Sequence, residues 1–346
     1  MNPPPNRLHL VIPGLFGPLG RLEEAGIEPR TPILETLLAR ADRSGARGDD
    51  YLSTLFGLFG YDAPQGTDWP SAALCRLAEG GGPDAGYWLH ADPVFLKPDM
   101  DRLLLFDGRS LEIASEEAKG LGELILGHFA DQGWRLEQAA PDRWYLRLPE
   151  APALETHPLH RVTGRNLFPF LPEGADRSRW RGLLNEIQML LYHADVNQAR
   201  RAAGRPEING LWLWGGGRLP AAANSGRQRV YTDHPLAAGL ARHAGVELQA
   251  LPGHLDQAEI TGDCLMYRDD LLQPLLVADA ATWSRNLERL ESLLETLGDA
   301  LRRNRIEALL LYPCNGHSYR ITRSGLRRFW RRRKPIAALF DEPGHD

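Results

Sequence analysis

The sequence predicts a layered α/β fold: a mostly parallel sheet with helices on both faces, interrupted by a smaller α+β insertion. Three observations carry this. A strand-like run is followed by an amphipathic helix near the amino end. Helical and strand patterns then alternate from residue 180 to 312. Between them, Gly80-Gly81-Gly82-Pro83 breaks the chain, and a separate β-α-β stretch begins near Trp88. The expected boundaries are a discontinuous core of 1–87 and 181–346 around an insertion at 88–180.

RLHLVI at 7–12 reads as the first strand, stopped by Pro13-Gly14. TPILETLLARADR at 31–43 is a helix with Thr31 as cap, Pro32 in the first turn, and Ile33, Leu34, Leu37 and Leu38 as its apolar stripe. In the insertion, RLLLFD at 102–107 and RWYLRL at 143–148 are strands flanking a helix at 115–133, which is closed by Gly133. A long helical pattern fills 180–201. The strand INGLWLW at 208–214 follows, ending in Gly215-Gly216-Gly217. A helix opened by Pro235 leads to strand VELQAL at 246–251. Trp283, Leu287, Leu290, Leu294, Leu297 and Leu301 mark a helix over about 282–303 that feeds strand IEALLLY at 306–312.

Composition excludes several classes. Only three of the 40 basic residues are lysine, a skew that codon usage explains and that also supplies forked donors for anions. A net charge of −5 argues against a general polyanion binder. No apolar run approaches the ~20 residues needed to cross a bilayer. The amino end lacks a signal pattern, and Cys75, Cys264 and Cys314 form neither a disulfide framework nor a zinc spacing. A soluble cytoplasmic protein without membrane partners is expected.

Local motifs leave alternatives open. Gly215-Gly216-Gly217 is either a close approach to phosphate or a plain tight turn; no Lys-Ser/Thr follows, so it is not a P-loop. Trp212 and Trp214 share a strand face, for burial or for ligand stacking. Asp92, Asp99, Asp101 and Asp107 form either an exposed strand edge or oxygen ligands for a hard cation. Eight basic residues between 320 and 334, interleaved with Phe329 and Trp330, suit a polyanion or a solvated face paired to acidic surface.

The order of these pieces resembles that of archaeal-type cofactor-independent phosphoglycerate mutases, members of the alkaline-phosphatase-like superfamily with an inserted substrate domain. The matching segments are IPGLFG at 12–17, LFGYDA at 58–63, VNQAR at 196–200, Asn209 and LWLWGGG at 211–217. A closer resemblance is to the RpfE-type proteobacterial family, variously described as regulatory or phosphoglycerate-mutase-like. ADPVFLKPDMDRLLLFD, RWYLRL, GRN at 164–166, LNEIQMLL at 184–191 and LWLWGGG carry it.

The resemblance implies two metal ions and a transiently phosphorylated serine, and the sequence departs from that pattern. Pro13 replaces the aspartate that follows the first strand. The serine position, counted back from Gly60-Tyr61-Asp62, falls near Tyr51, with Ser53 offset by two. An Asp-x-x-x-His segment keeps only Asp279, and a late Asp-His pair keeps only His317. Ala194-Asp195-Val196-Asn197 departs from His-Pro-Val-Asn. The expectation is a mutase-like fold that has lost the two-metal phosphoserine machinery: a ligand-binding or regulatory pseudoenzyme with no metal and no cofactor. Its ligand would be a small phosphorylated or carboxylate compound, contacted by Arg165, Asn197, Arg200, Gly215, Gly217 and Arg218. The alternative is an active phosphoglycerate mutase or phosphatase whose Mn or Mg site is rebuilt around Ser53, Asp279 and His317. A third reading is nucleic acid or acidic protein bound through Arg327, Arg328, Arg331, Arg332 and Arg333.

Overall fold

Leu8, Leu10 and Ile12 share one face of the first strand and enter a core, while His9 faces the other way. The structure is a computed structural model, which describes residues 5–17, 29–253 and 258–336. Its strands, in chain order, are β1 (Arg7–Val11), β2 (Asp42–Gly45), β3 (Tyr87–Asp99), β4 (Arg102–Asp107), β5 (Arg135–Ala140), β6 (Arg143–Leu148), β7 (Gly210–Gly217), β8 (Arg229–Tyr231), β9 (Glu247–Gln249), β10 (Asp263–Tyr267), β11 (Ala308–Tyr312) and β12 (His317–Thr322). The chain divides into two units: one from Met1–Asp62 and Ala222–Asp346, the other from Ala63–Ala221.

The first unit holds a seven-stranded sheet in the order β2-β12-β11-β1-β10-β8-β9. The strands from β11 to β9 are parallel, with Arg7 level with both Asp263 and Ala308. β12 and β2 add an antiparallel edge. Leu8, Leu10, Cys264, Met266, Leu309 and Leu311 pack against Leu34, Leu37 and Leu38 of the helix Pro32–Arg40, and against the apolar stripe of Ala280–Arg302. Burying each such leucine contributes about 1.5–3 kcal/mol relative to exposure. Thr31 does not cap Pro32–Arg40 as expected. The Glu291 carboxylate does so from the long helix, accepting from the Ile33 and Leu34 amides at 2.7 and 2.8 Å.

The second unit is built on an antiparallel sheet. β3 pairs with β7 along one edge; on the other it pairs first with β6 and then with β4, and β5 pairs with β6. Helices Ser115–His128 and Arg177–Tyr192 bury Leu121, Ile125, Trp180, Ile187 and Leu191 against Trp144, Leu146, Leu211 and Leu213.

Three expectations change. This unit spans Ala63–Ala221 rather than 88–180, because helix Ser71–Ala78 packs on β3 and β7, and β7 hydrogen-bonds to β3. The strand at 208–214 therefore belongs to the antiparallel sheet and not to the parallel core. The continuous helix over 180–201 is two, Arg177–Tyr192 and Asp195–Ala202, separated at His193-Ala194.

Candidate functional site

In open parallel sheets, ligands gather outside the carboxyl ends of the strands. Here that edge is formed by Pro13-Gly14 after β1, Arg268 to Asp270 after β10, Pro313 to Asn315 after β11, and His234 beyond β8. Gly14 has φ +80°, and a Cβ there would stand 3.0 Å from the Leu271 carbonyl, so the turn admits only glycine without displacement. The Trp283 indole donates to the Gly14 carbonyl at 2.8 Å. Helix Tyr51–Leu58 begins beside the same edge: the Tyr51 ring contacts His234 and Tyr267, with centroids 5.4 and 6.2 Å away.

A buried polar series crosses the sheet face opposite the leucine core. His9 Nε2 lies 2.9 Å from an Asp263 carboxylate oxygen, and His9 Nδ1 lies 3.1 Å from the Tyr312 hydroxyl. Burial lowers the His9 pKa below the usual imidazole value, and pushes Tyr312 up to about 12. Burial alone would raise Asp263; the hydrogen bond from His9 and the charges of His9, Arg227 and Arg7 hold it below the usual carboxylate range. The series can pass a proton between phenol and imidazole while the carboxylate fixes the ring. Sequence reasoning missed it. The available signal was one histidine inside an otherwise apolar strand.

The three catalytic candidates take separate structural places. Ser53 occupies the third position of helix Tyr51–Leu58, where its amide and hydroxyl donate to the Asp50 carboxylate at 2.8 and 2.6 Å. The Asp50 amide lies 3.3 Å from Ser53 Oγ, closing a reciprocal cap. Gly48 lies against the same hydroxyl, since a Cβ there would be 2.2 Å from Oγ. Asp279 caps the long helix Ala280–Arg302, accepting from the Thr282 amide at 2.9 Å. His317 opens β12, level with Gly45 of β2. Among the described residues, no three His, Cys, Asp or Glu side chains gather to hold a metal ion. Pro13 follows β1, and Arg268, Asp269 and Asp270 follow β10.

The expected ligand contacts lie in the second unit, and most of them serve the fold. Asn197 is fully buried; its amide donates to the Leu191 and Ile208 carbonyls, and its carbonyl accepts from the Ile208 amide, all at 2.8 Å. Arg200 is 1 % exposed and donates to the Pro206 carbonyl, Glu117 and the Leu111 carbonyl at 2.7, 2.7 and 2.5 Å. Both amide hydrogens of Asn197 are engaged, and all three Arg200 nitrogens are hydrogen-bonded within the unit. The glycines belong to β7 rather than to a phosphate loop. Added Cβ atoms would meet the Ser71 hydroxyl at 2.2 Å from Gly215 and Pro70 at 2.5 Å from Gly217, so they permit close helix packing. The Gly215 and Gly216 amides are spent on Thr156 and Asp68. Arg218 donates to the Ala85 carbonyl, and Arg165 is exposed.

The acidic stretch is not a cation site among the described residues. Asp99 pairs with Arg102, Asp107 accepts from the Ser110 amide, and Asp92 is buried beneath the Trp214 indole, which donates to it at 2.7 Å. Burial raises the Asp92 pKa to about 7 despite that hydrogen bond. In the basic segment, Arg328 pairs with Asp42, Arg331 donates to the Ala41 carbonyl, and Arg333 lies 4.0 Å from Glu35. Those three fasten the segment to its own unit, while Arg327 and Arg332 are exposed.

No known family profile matches the sequence. The chain is distantly homologous to cofactor-independent phosphoglycerate mutases. It is 25% identical to the probable 2,3-bisphosphoglycerate-independent phosphoglycerate mutase of Geobacter sulfurreducens, over 56% of this chain and 51% of that protein. It is 24% identical to the 2,3-bisphosphoglycerate-independent phosphoglycerate mutase of Methanosarcina acetivorans, over 75% of this chain and 70% of that one. The match thus spans about half the length of the Geobacter relative. Among solved structures, the PH0037 protein of Pyrococcus horikoshii superposes with a TM-score of 0.51 at 14% identity, over 92% of this chain and 88% of that one. The layered α/β fold that the sequence predicts is the fold observed.

Proposed function

We propose that this protein is a non-catalytic, ligand-binding regulator on a phosphoglycerate-mutase-like fold, the reading that its RpfE-type resemblance implies, and that it acts in the cytoplasm without a metal cofactor. The observation that carries this reading is the start of helix Tyr51–Leu58. The serine nearest the expected nucleophile position is held in a reciprocal helix cap with Asp50, and that position, counted back from Gly60-Tyr61-Asp62, falls near Tyr51, which is buried against His234 and Tyr267. Pro13 in place of a metal-binding aspartate supports the same reading.

The test is metal analysis of the purified protein, followed by an assay for interconversion of 3- and 2-phosphoglycerate with manganese supplied. The expected result is no stoichiometric metal and no turnover above background. Stoichiometric metal with turnover abolished by Ser53→Ala would overturn it, since removing a nucleophile typically costs on the order of a millionfold. One observation favours the active alternative, a phosphoryl-transfer enzyme with a rebuilt manganese or magnesium site: the Ser53 hydroxyl stands 2.6 Å from a carboxylate able to accept its proton. The same assay decides between them.

A further inference from the structure

Where the carboxyl ends of β1 and β10 meet helix Ala280–Arg302, the first unit contains a cavity of about 130 Å³. One part of its wall is aliphatic, from Ile12, Leu290 and Leu293. The other part is polar and short of acceptors. Arg268 Nε donates to Asp270 at 2.7 Å, and its two terminal nitrogens have no partner among the described residues. Arg289 makes one long contact, 3.5 Å, to the side-chain oxygen of Asn286, whose own amide is anchored on the Asp270 carbonyl. Among the described residues, two guanidinium groups therefore face one carboxylate, which leaves a net positive charge and unspent forked donors beside an apolar surface.

We propose that this cavity binds a small carboxylate with a short aliphatic body, its carboxylate held by Arg268 and Arg289 and its chain laid against Ile12, Leu290 and Leu293. A monoanion matches the single surplus charge, and the apolar wall offers no partner to a second charged group. The volume is close to that of an engineered cavity known to accept benzene, so the occupant has about six non-hydrogen atoms, the size of butyrate. Apart from Ile12, which opens the segment 12–17 that carries the mutase resemblance, the site uses residues that neither that resemblance nor the capped serine involves. It rests on the ligand-binding half of the proposed function and not on the absence of turnover.

The test is calorimetric titration of the full chain with butyrate, with acetate and inorganic phosphate as comparators. One butyrate site per chain is expected, with a Kd of about 0.1–1 mM given so few ligand atoms, and weaker binding of both comparators. Arg289→Gln, at an exposed position on the helix, should weaken butyrate at least tenfold, and Leu293→Phe should abolish binding by filling the cavity. Circular dichroism of each variant confirms that the fold is kept, and Arg268→Gln replaces any variant that fails it. No binding at about 20 mM butyrate, phosphate bound more tightly than butyrate, or binding unchanged in these variants would overturn the site. Mutase turnover would overturn the non-catalytic reading and leave this site standing.

Discussion

Both units place arginine and carboxylate side chains against apolar surface, and the two sets end in different states. In the antiparallel unit, Arg200 donates to two carbonyls and a glutamate, Asn197 makes three backbone hydrogen bonds, and Asp68 accepts from Thr156 and Gly216. At the carboxyl edge of the parallel sheet, Arg268 and Arg289 keep most of their donors free of partners among the described residues. The residue type is the same, yet in one case the fold has consumed it and in the other it has not. A hydrogen-bond account of each polar group thus separates structural from functional arginines better than charge or sequence position does.

The largest test of this contrast is Arg200→Ala. It leaves Glu117 and two carbonyls without their buried partner, and should cost about 3–5 kcal/mol in urea denaturation. Arg289→Gln should stay within about 0.5 kcal/mol of the parent. Equal losses in the two variants would erase the distinction.

Next in size is pH dependence, where the units run in opposite directions. Folded Asp92 titrates near 7, whereas the unfolded chain ionises it near the ordinary value of about 3.9. Between those values the folded state holds a proton the unfolded state has lost, so stability falls as pH rises from about 4 to about 7, by roughly 2–4 kcal/mol. His9 acts oppositely: its lowered pKa means the unfolded chain takes up a proton first, and stability falls as pH drops below about 6.5, the ordinary imidazole value. Melting temperatures from pH 4 to 8 check both. Asp92→Asn should flatten the alkaline decline and His9→Gln the acidic one, and a parent-like slope in either variant would remove that residue from the account.

A smaller contrast lies within the parallel unit. Glu291→Ala removes the acceptor for two amides of helix Pro32–Arg40 and should cost about 1–2 kcal/mol, while Thr31→Ala should cost almost nothing. The smallest effect is expected at Arg328, where an exposed pair with Asp42 is worth about 0–1 kcal/mol. A thermal shift of Arg328→Ala beyond that range would mean the basic segment is held more firmly than its ion pair allows.

Much of the fold was legible because the signals are local. RLHLVI, RLLLFD and RWYLRL alternate or run apolar over one strand length, and Trp283 through Leu301 repeat on one helix face. What escaped depends on distant partners. LWLW reads the same in a parallel or an antiparallel sheet, so the place of β7 beside β3 could not be read from it. The long β3 was hidden by Pro93 and Pro98, which ordinarily argue against a strand interior. Glu291 lies 258 residues from the amide it caps, and Arg200 lies 89 from a carbonyl it holds. No local pattern announces such a contact. The proline that ends the first strand was visible at once as Pro13, whereas the Asp263–His9–Tyr312 series required three strands to be laid side by side.

The position of β1 in the middle of the parallel sheet has a consequence for synthesis. It leaves the ribosome before both of its neighbours, which begin at Asp263 and Ala308. At about 5–20 residues per second, it waits roughly 15–60 s for the second of them. The antiparallel unit is one uninterrupted segment, Ala63–Ala221, and has emerged in full well before that. The whole antiparallel unit is therefore available to fold while Leu8, Leu10 and Val11 have no sheet to join. That interval is when a trigger-type chaperone has the most to protect, and when slowing translation beyond residue 221 would cost the most yield.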